Sequence, residues 1–166
     1  GSENQVHVMK WGLIPFWAKD PKIGSRMINA RAETVVEKPV FREAFSKRRC
    51  LVLADGFYEW QKTPEGKAPM RIVLKSGEPF GFAGLWATWK SADGQSVNSC
   101  TIITTTANSL MEPIHDRMPV ILSREAERDW LDVANTDTGE LRELLVPYAA
   151  SEMEAYRVPA LINSWK

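Results

Sequence analysis

Hydrophobic and polar positions alternate through much of this chain, and the alternation predicts a protein built mainly from β-strands. Period-two patterns are typical of half-buried strands, and here they recur between turns that contain Gly or Pro. Short turns at 63–66, 76–77 and 92–94 join four of the spans, which predicts an antiparallel meander. The predicted strands cover residues 6–13, 50–60, 69–74, 80–89, 97–104 and 118–122.

Helical patterns are shorter and lie between or after the strands. Apolar residues recur at helical spacing over 40–49 and again over 139–145, while 108–114 predicts a single helical turn. Ser123 is a residue type typical of a helix N-cap. The chain has no internal repeat, low-complexity tract or linker. The expected fold is therefore one α+β domain, with a mainly antiparallel, barrel-like β-sheet and peripheral short helices.

Composition places the chain among ordinary globular domains. Its 166 residues are 44% hydrophobic and 25% charged, and no apolar run is long enough to span a bilayer. Gly1-Ser2 is interpreted as the remnant of a cleaved expression tag, so the domain is expected to cover residues 3–166, with no secretory signal. Two cysteines are too few for a disulfide framework, which favours the reducing cytoplasm, and with two histidines they make no metal-ligand spacing. No metal or cofactor is expected.

Charge is distributed unevenly, although the net charge is zero. Residues 1–50 carry ten Lys and Arg against five Asp and Glu, whereas the remainder carries eleven against sixteen. A basic first third is consistent with a local anion-binding face, and equally with a solvated surface.

Two polar segments are candidates for binding or catalysis. Asn29 and Arg31 follow a loop, where Asn commonly satisfies backbone groups and Arg pairs with a carboxylate; alternatively, Arg31 binds a phosphate and Asn29 orients a reacting group. Glu59 follows Gly-Phe-Tyr and precedes Trp in a span expected to be interior. Aromatic surroundings favour the protonated form of a carboxyl group, which suits general acid-base work, although a structural salt bridge is the alternative.

His115 begins a second polar segment, His-Asp-Arg, between a helical turn and an apolar strand. A lone histidine is often structural, but here Asp116 could orient the ring and Arg117 could bind a phosphate. Trp17 lies in a predicted loop beside lysines, an arrangement that stacks an unpaired base; packing beneath the loop is the alternative. Cys50 and Cys100 lie within predicted strands, where cysteine usually packs as an inert apolar residue.

Four motifs occur in order along the chain: WGLIP at 11–15, INARAET at 28–34, ADGFYEW at 54–60 and IHDRMPVIL at 114–122. Together they resemble the SOS response-associated peptidase (SRAP) family of abasic-site-processing proteins. The resemblance extends from about residue 6 to residue 163 and implies a role in the SOS response and DNA repair, with abasic sites in single-stranded DNA as the partner and no membrane. It also implies a cytoplasmic protein that associates with the nucleoid when bound to DNA.

The family's chemistry is implied by the same resemblance. An N-terminal cysteine, exposed by peptidase-type removal of the initiator Met, captures the abasic aldehyde as a thiazolidine, a lyase-like covalent protein-DNA linkage. Carried over residue by residue, Asn29 positions the reactants, Glu59 exchanges protons and His115 assists the imine. By the same carry-over, Arg31 and Arg117 bind the flanking phosphates of the DNA and Thr104 makes a weaker contact. Trp17 stacks beside the lesion.

One departure from the family concerns the start of the chain. The family begins Met-Cys-Gly-Arg, and no such segment precedes the first shared motif here, so this chain is expected to be truncated at the N-terminus, trimmed at the C-terminus and inactive in crosslinking. Two other classes of function stay open: a thiol peptidase acting in trans, which requires an exposed, activated cysteine, and a non-catalytic reader of single-stranded or modified nucleic acid, which does not depend on Glu59.

Overall fold

The computed structural model describes residues 4–164 and contains two β-sheets flanked by short helices. The strands are β1 (Lys10–Trp11), β2 (Asn29–Arg31), β3 (Arg49–Ala54), β4 (Phe57–Thr63), β5 (Gly66–Leu74), β6 (Phe80–Lys90), β7 (Ser96–Thr106), β8 (Arg117–Pro119), β9 (Ile121–Leu122) and β10 (Met153–Arg157). The α-helices are α1 (Pro39–Lys47), α2 (Arg124–Leu131) and α3 (Thr138–Glu143), and the 3-10 helices are Pro21–Arg26, Ala150–Glu152 and Ala160–Asn163.

The larger sheet has seven strands and is mixed. Its centre is the long antiparallel hairpin of β6 and β7, and β3 and β9 pair with β6. On β7, the short strands β1 and β2 pair in parallel, whereas β8 pairs antiparallel. The smaller sheet has three antiparallel strands in the order β10-β5-β4.

Apolar side chains form two core clusters, one on each face of the larger sheet. The first cluster packs helices against one face and includes Ala30, Phe45, Ile103 and Trp130. The second cluster lies between the two sheets. Its members include Ile72, Phe82, Ile102, Ile114 and Met118, with Phe57 packed against them. Strands β2 and β7 therefore have a helix-covered face and a face turned towards the smaller sheet.

The α+β class is confirmed, but the barrel-like expectation is not, because the described strands form two separate sheets and no closed barrel. The predicted meander is also wrong. Hairpins β4-β5 and β6-β7 form as expected, yet β5 and β6 belong to different sheets. Consecutive strands fold over one another here because each hairpin buries one face against the other hairpin.

The single strand predicted over 50–60 is two strands, β3 and β4, one in each sheet. The break falls at Gly56, where a Cβ would lie 2.8 Å from the Ile72 carbonyl oxygen and 3.0 Å from Arg71 Nη2. Only a residue without a side chain permits that close approach. The break matters because it carries Glu59 out of the larger sheet and onto the smaller one.

Helix expectations are largely confirmed, with small shifts in bounds. Helix α1 begins at Pro39, and the Ser123 hydroxyl accepts a hydrogen bond from the Ala126 N–H as the N-cap of α2. The span 118–122 is divided into β8 and β9, which pair with different strands. Among the described residues no helix is long and apolar enough to cross a membrane. The tag remnant predicted at Gly1-Ser2 lies outside those residues.

Candidate functional site

Strand β2 presents Asn29 and Arg31 on the face of the larger sheet that is turned towards the smaller sheet. Ala30 between them is buried in the first cluster, so its neighbours point the other way. The parallel register aligns Asn29 with Ile102 and Arg31 with Thr104. Because Ile102 belongs to the second cluster, the two polar side chains lie on the face of the sheet against which that cluster packs.

Arg117 on β8 is held on the same face by a network of short hydrogen bonds. Its Nη1 donates to Glu33 Oε1 at 2.6 Å, and its Nη2 donates to Glu33 Oε2 at 2.9 Å. Nη2 also donates to the Thr104 carbonyl oxygen at 2.9 Å and lies 3.2 Å from Thr104 Oγ1. The guanidinium therefore joins β8, β7 and the turn that follows β2 in one bidentate arrangement.

Glu33 lies between two cations, and its ionisation reflects them. The hydrogen bonds from Arg117 hold the pKa of this carboxyl group below its usual value of 4.5, with a smaller contribution from the charge of Arg31. A carboxyl group whose pKa is lowered by folding stabilises the fold when it is ionised, and that stabilisation is lost as the pH falls.

A prediction about acid stability follows from this ion pair. Replacing Glu33 by Gln is expected to lower the free energy of unfolding at neutral pH but to make progressively less difference below about pH 4.5, as the pH falls through the lowered pKa of the folded state. Urea denaturation of both proteins from pH 7 to pH 3 measures the difference. A gap between the two proteins that stays constant over that range would show that the carboxylate charge is not what stabilises the fold.

Glu59 enters the same region from the smaller sheet. Its neighbours two residues away on the same face of β4 fix its direction: the Phe57 ring centroid is 5.8 Å from that of Phe82, and Gln61 Nε2 donates to the Pro113 carbonyl oxygen at 3.0 Å. Glu59 is half-buried between them, and its Oε1 lies 3.3 Å from the Trp60 N–H. The Gln61 hydrogen bond thus ties β4 to the turn just before His115.

His115 has its ring oriented through Nδ1. This atom accepts a hydrogen bond from the Arg117 N–H at 3.1 Å, and Asp116 Oδ1 lies 3.2 Å away. Nδ1 also lies 3.3 Å from the Arg117 carbonyl oxygen, so one backbone donor and two oxygen acceptors orient the ring at this atom. Within residues 4–164 the ring makes no hydrogen bond through Nε2, so this atom is available for proton transfer to a ligand.

Trp17 occupies a different part of the surface, beyond β1. The loop that carries it is fixed by Trp89, whose Nε1 donates to the Ala18 carbonyl oxygen at 2.7 Å, and by the close packing of Gly12 on Gly24. The Trp17 side chain is half-exposed, so it is not a plug beneath the loop. It borders an open depression of about 600 Å³ that is also lined by Lys19, Asp20, Lys22, Ile23, Ser25 and Arg26.

The structure thus brings some of the predicted residues together and leaves others apart. Arg117 and Thr104 are in direct contact, and the register of β2 sets Arg31 beside Thr104. Glu59 and His115 are joined through the Gln61 hydrogen bond only indirectly, so their convergence with Asn29 on a bound ligand stays a prediction. Trp17 lies towards the β6-β7 hairpin turn, away from Arg117.

Sequence reasoning gave no role to Glu33, although it lies within a quoted motif. Its signal was its position two residues after Arg31 in the motif INARAET, where an acid lies close in the sequence to the two polar residues before it. The structural role of Trp60 was also not predicted. Its Nε1 donates to Asn163 Oδ1 at 2.7 Å and so attaches the C-terminal 3-10 helix to the smaller sheet.

Neither cysteine has the environment of an activated thiol. Cys50 is half-buried and Cys100 is buried, and both are free. Burial raises the pKa of the Cys50 thiol to about 12 and also raises that of Cys100. Both thiols are therefore inert at neutral pH, as the sequence predicted. The described part of the chain contains no group of three or more potential metal-ligating His, Cys, Asp or Glu side chains.

Known proteins resemble this chain over most of its length. A Bacillus subtilis (strain 168) protein named abasic site processing protein YoqW is 56% identical over 100% of this chain and 75% of its own length. The Xenopus tropicalis abasic site processing protein HMCES is 36% identical over 88% of this chain and 50% of its own length. A crystal structure of a Bacteroides thetaiotaomicron protein superimposes with a TM-score of 0.89, at 36% identity over 93% of this chain and 70% of that one.

The family assignment agrees with these likenesses. The model of the family described as SOS response associated peptidase (SRAP) matches residues 1–165. The residues that this match spans include all four motifs and the polar face of β2 and β8. The chain belongs to the SRAP family.

Proposed function

We propose that this domain recognises and processes abasic sites in single-stranded DNA. Its relatives from Bacillus subtilis and Xenopus tropicalis are named abasic site processing proteins, which supports abasic sites in DNA as the ligand class. The observation that carries the proposal is the shared face of β2, β7 and β8. There Asn29, Arg31, Thr104 and Arg117 lie on neighbouring strands of one sheet, and convergence of Glu59 and His115 on the same ligand is part of the proposal.

The residues divide into phosphate-binding and reacting groups. Arg31 is exposed and suits a DNA phosphate, because a guanidinium forms two parallel hydrogen bonds with phosphate oxygens. Arg117 and Thr104 form the second, more enclosed contact. Trp17 supplies an exposed ring for stacking an unpaired base further along the strand, and Lys19 and Lys22 beside it attract the backbone.

The covalent step that we propose is capture of the abasic aldehyde by a terminal cysteine. The α-amine adds to the aldehyde carbon, water leaves and an imine forms; the thiol then adds across the imine and closes a thiazolidine ring. In this proposal Glu59 exchanges protons with the amine and the sugar, and His115 Nε2 assists loss of water and reversal. Asn29, with its amide, orients the reactants. Release of that cysteine by removal of the initiator Met belongs to the same proposal.

DNA binding tests the proposed surface. Arg31→Ala is expected to weaken binding of a single-stranded oligonucleotide and to flatten the plot of log K against log salt concentration by about 0.7, the contribution of one phosphate contact. Fluorescence anisotropy at several salt concentrations measures both effects. Arg142→Ala is the matched control, because Arg142 is an exposed arginine on α3, whose Leu141 packs into the first cluster behind the sheet.

Two results would argue against the surface: an unchanged slope for Arg31→Ala, or equal affinity of the domain for intact duplex. A non-catalytic reader of nucleic acid is distinguished by Glu59→Gln. That change is expected to leave DNA affinity intact but to slow covalent capture in a protein that carries the terminal cysteine. The burial of Cys50 and Cys100 disfavours the thiol peptidase alternative, because neither thiol is both exposed and ionised.

A further inference from the structure

The guanidinium of Arg117 is already occupied before any DNA binds. Both Nη2 hydrogens are committed, one to Glu33 Oε2 and the other to the oxygens of Thr104, and Nη1 donates to Glu33 Oε1. Nε is buried and has no hydrogen-bond partner within the described residues. A phosphate that approaches Arg117 therefore finds its preferred bidentate position filled by a carboxylate.

The two members of the ion pair differ in how easily they can move. The Arg117 side chain is 15% exposed and is also held by Thr104, whereas the Glu33 side chain is 48% exposed and sits in a turn. Exchange of partners would thus leave Arg117 in place and swing Glu33 into water, where an ionised carboxylate is well solvated. Because the carboxylate of this ion pair is half-exposed, breaking the pair costs little and a phosphate can replace Glu33.

The charges of the cluster give the exchange an electrostatic consequence. Arg31 and Arg117 carry one positive charge each, and Glu33 removes one of the two. We propose that Glu33 is a built-in competitor of the DNA phosphate at Arg117, which must be displaced before Arg117 can bind DNA. This inference rests on the proposed function. It makes Glu33 a residue that lowers the affinity of this surface for single-stranded DNA.

Neutral variants of Glu33 test the competition. Glu33→Gln is expected to tighten binding of a single-stranded oligonucleotide at low salt by about two- to fivefold, because no carboxylate has to leave Arg117. The slope of log K against log salt concentration is expected to stay that of the wild type, because the phosphate contacts of the bound state are the same. Glu37→Gln removes the same charge from an exposed position in the same turn and is expected to leave the affinity nearly unchanged. In an Arg117→Met background, Glu33→Gln is expected to lose its effect.

Several outcomes would overturn the competition. These are a Glu33→Gln protein that is folded but binds no more tightly than the wild type, and a gain in affinity that persists in the Arg117→Met background. Glu33→Ala is measured alongside; if both neutral variants fail to fold, as judged by circular dichroism, Glu33 is a structural requirement and not a displaceable competitor.

Failure of the proposed function gives a different result. In that case the wild-type domain binds no single-stranded DNA even at low salt. Titration with inorganic phosphate, followed through the side-chain NMR signals of Arg117, then tests the competition by itself. Glu33→Gln is expected to bind phosphate at Arg117 more tightly than the wild type, and equal binding by the two proteins contradicts the inference.

Discussion

Replacing Arg49 by Met is expected to lower the free energy of unfolding by about 3–5 kcal/mol, because several partly buried carbonyl groups lose a charged hydrogen-bond donor at once. Arg49 donates hydrogen bonds to five backbone carbonyl groups and is 9% exposed. Its guanidinium also lies 5.7 Å from the centre of the Trp130 ring. The five carbonyl groups are those of Phe45, Ser46, Trp130, Asp132 and Asn135.

The size of this effect follows from where the carbonyl groups lie. Those of Phe45 and Trp130 are at the C-terminal ends of α1 and α2, which carry partial negative charge and lack intrahelical donors. Met fills much of the volume of Arg but leaves all five oxygens without their donor. Both helices cover the first cluster, which contains Ala30 and so supports the strand that presents Asn29.

Urea denaturation measures the loss, and an unchanged m-value is required for the comparison. Arg42→Met is the matched control, since Arg42 is an exposed residue on α1 and its replacement is expected to change stability by no more than about 0.5 kcal/mol. Arg49→Lys should lie between the two, because an ammonium group has three donors in place of five. If Arg49→Met lowers the free energy of unfolding by less than about 1 kcal/mol, the hydrogen bonds of Arg49 to the ends of α1 and α2 do not stabilise the fold as argued.

The parts of the fold that could be predicted from the sequence are those set by local chemistry. Hairpins β4-β5 and β6-β7 have Gly66 and Gly94 at positive φ in their turns, and α2 has its Ser123 cap. Two features depend on distant partners and were missed. The parallel pairing of β1 and β2 with β7 involves residues some seventy to ninety positions apart, and the break at Gly56 exists because the backbone of β5 approaches there.

The candidate site divides in the same way. His115 and Asp116 are neighbours in the sequence, and the 3.2 Å approach of Asp116 Oδ1 to His115 Nδ1 is the local contact that the polar segment predicted. The pairing of Arg117 with Glu33 spans 84 positions and depends on the registers of β2 and β8 against β7. Residue types therefore indicated the candidate binding and reacting groups. Only the fold shows that Arg117, which was predicted to bind a phosphate, is already paired with a carboxylate.

A second large effect is expected in the covalent reaction. The cysteines of this 166-residue polypeptide are Cys50 and Cys100, so incubation with an abasic single-stranded oligonucleotide is expected to give no adduct that survives denaturation. A thiazolidine needs an amine and a thiol on the same residue, and the backbone nitrogens of both cysteines are in peptide bonds. Their thiols could form only a reversible thiohemiacetal, and burial keeps both protonated. The amine of Gly1 could form an imine, but no adjacent thiol closes the ring.

An extended form of the protein, which begins Cys-Gly-Arg and carries the family's N-terminal segment, is expected to form the adduct. The adduct is seen as a shifted band in a denaturing gel run without reductant. The matched control begins Ser-Gly-Arg and differs by one atom, sulfur to oxygen, so it keeps the amine and loses the thiol. Cys50→Ser and Cys100→Ser in the extended form are expected to leave the band intact. A stable band from the 166-residue polypeptide that disappears with either of those substitutions would show that the nucleophile is a cysteine of the larger sheet. That result would refute capture by a terminal cysteine.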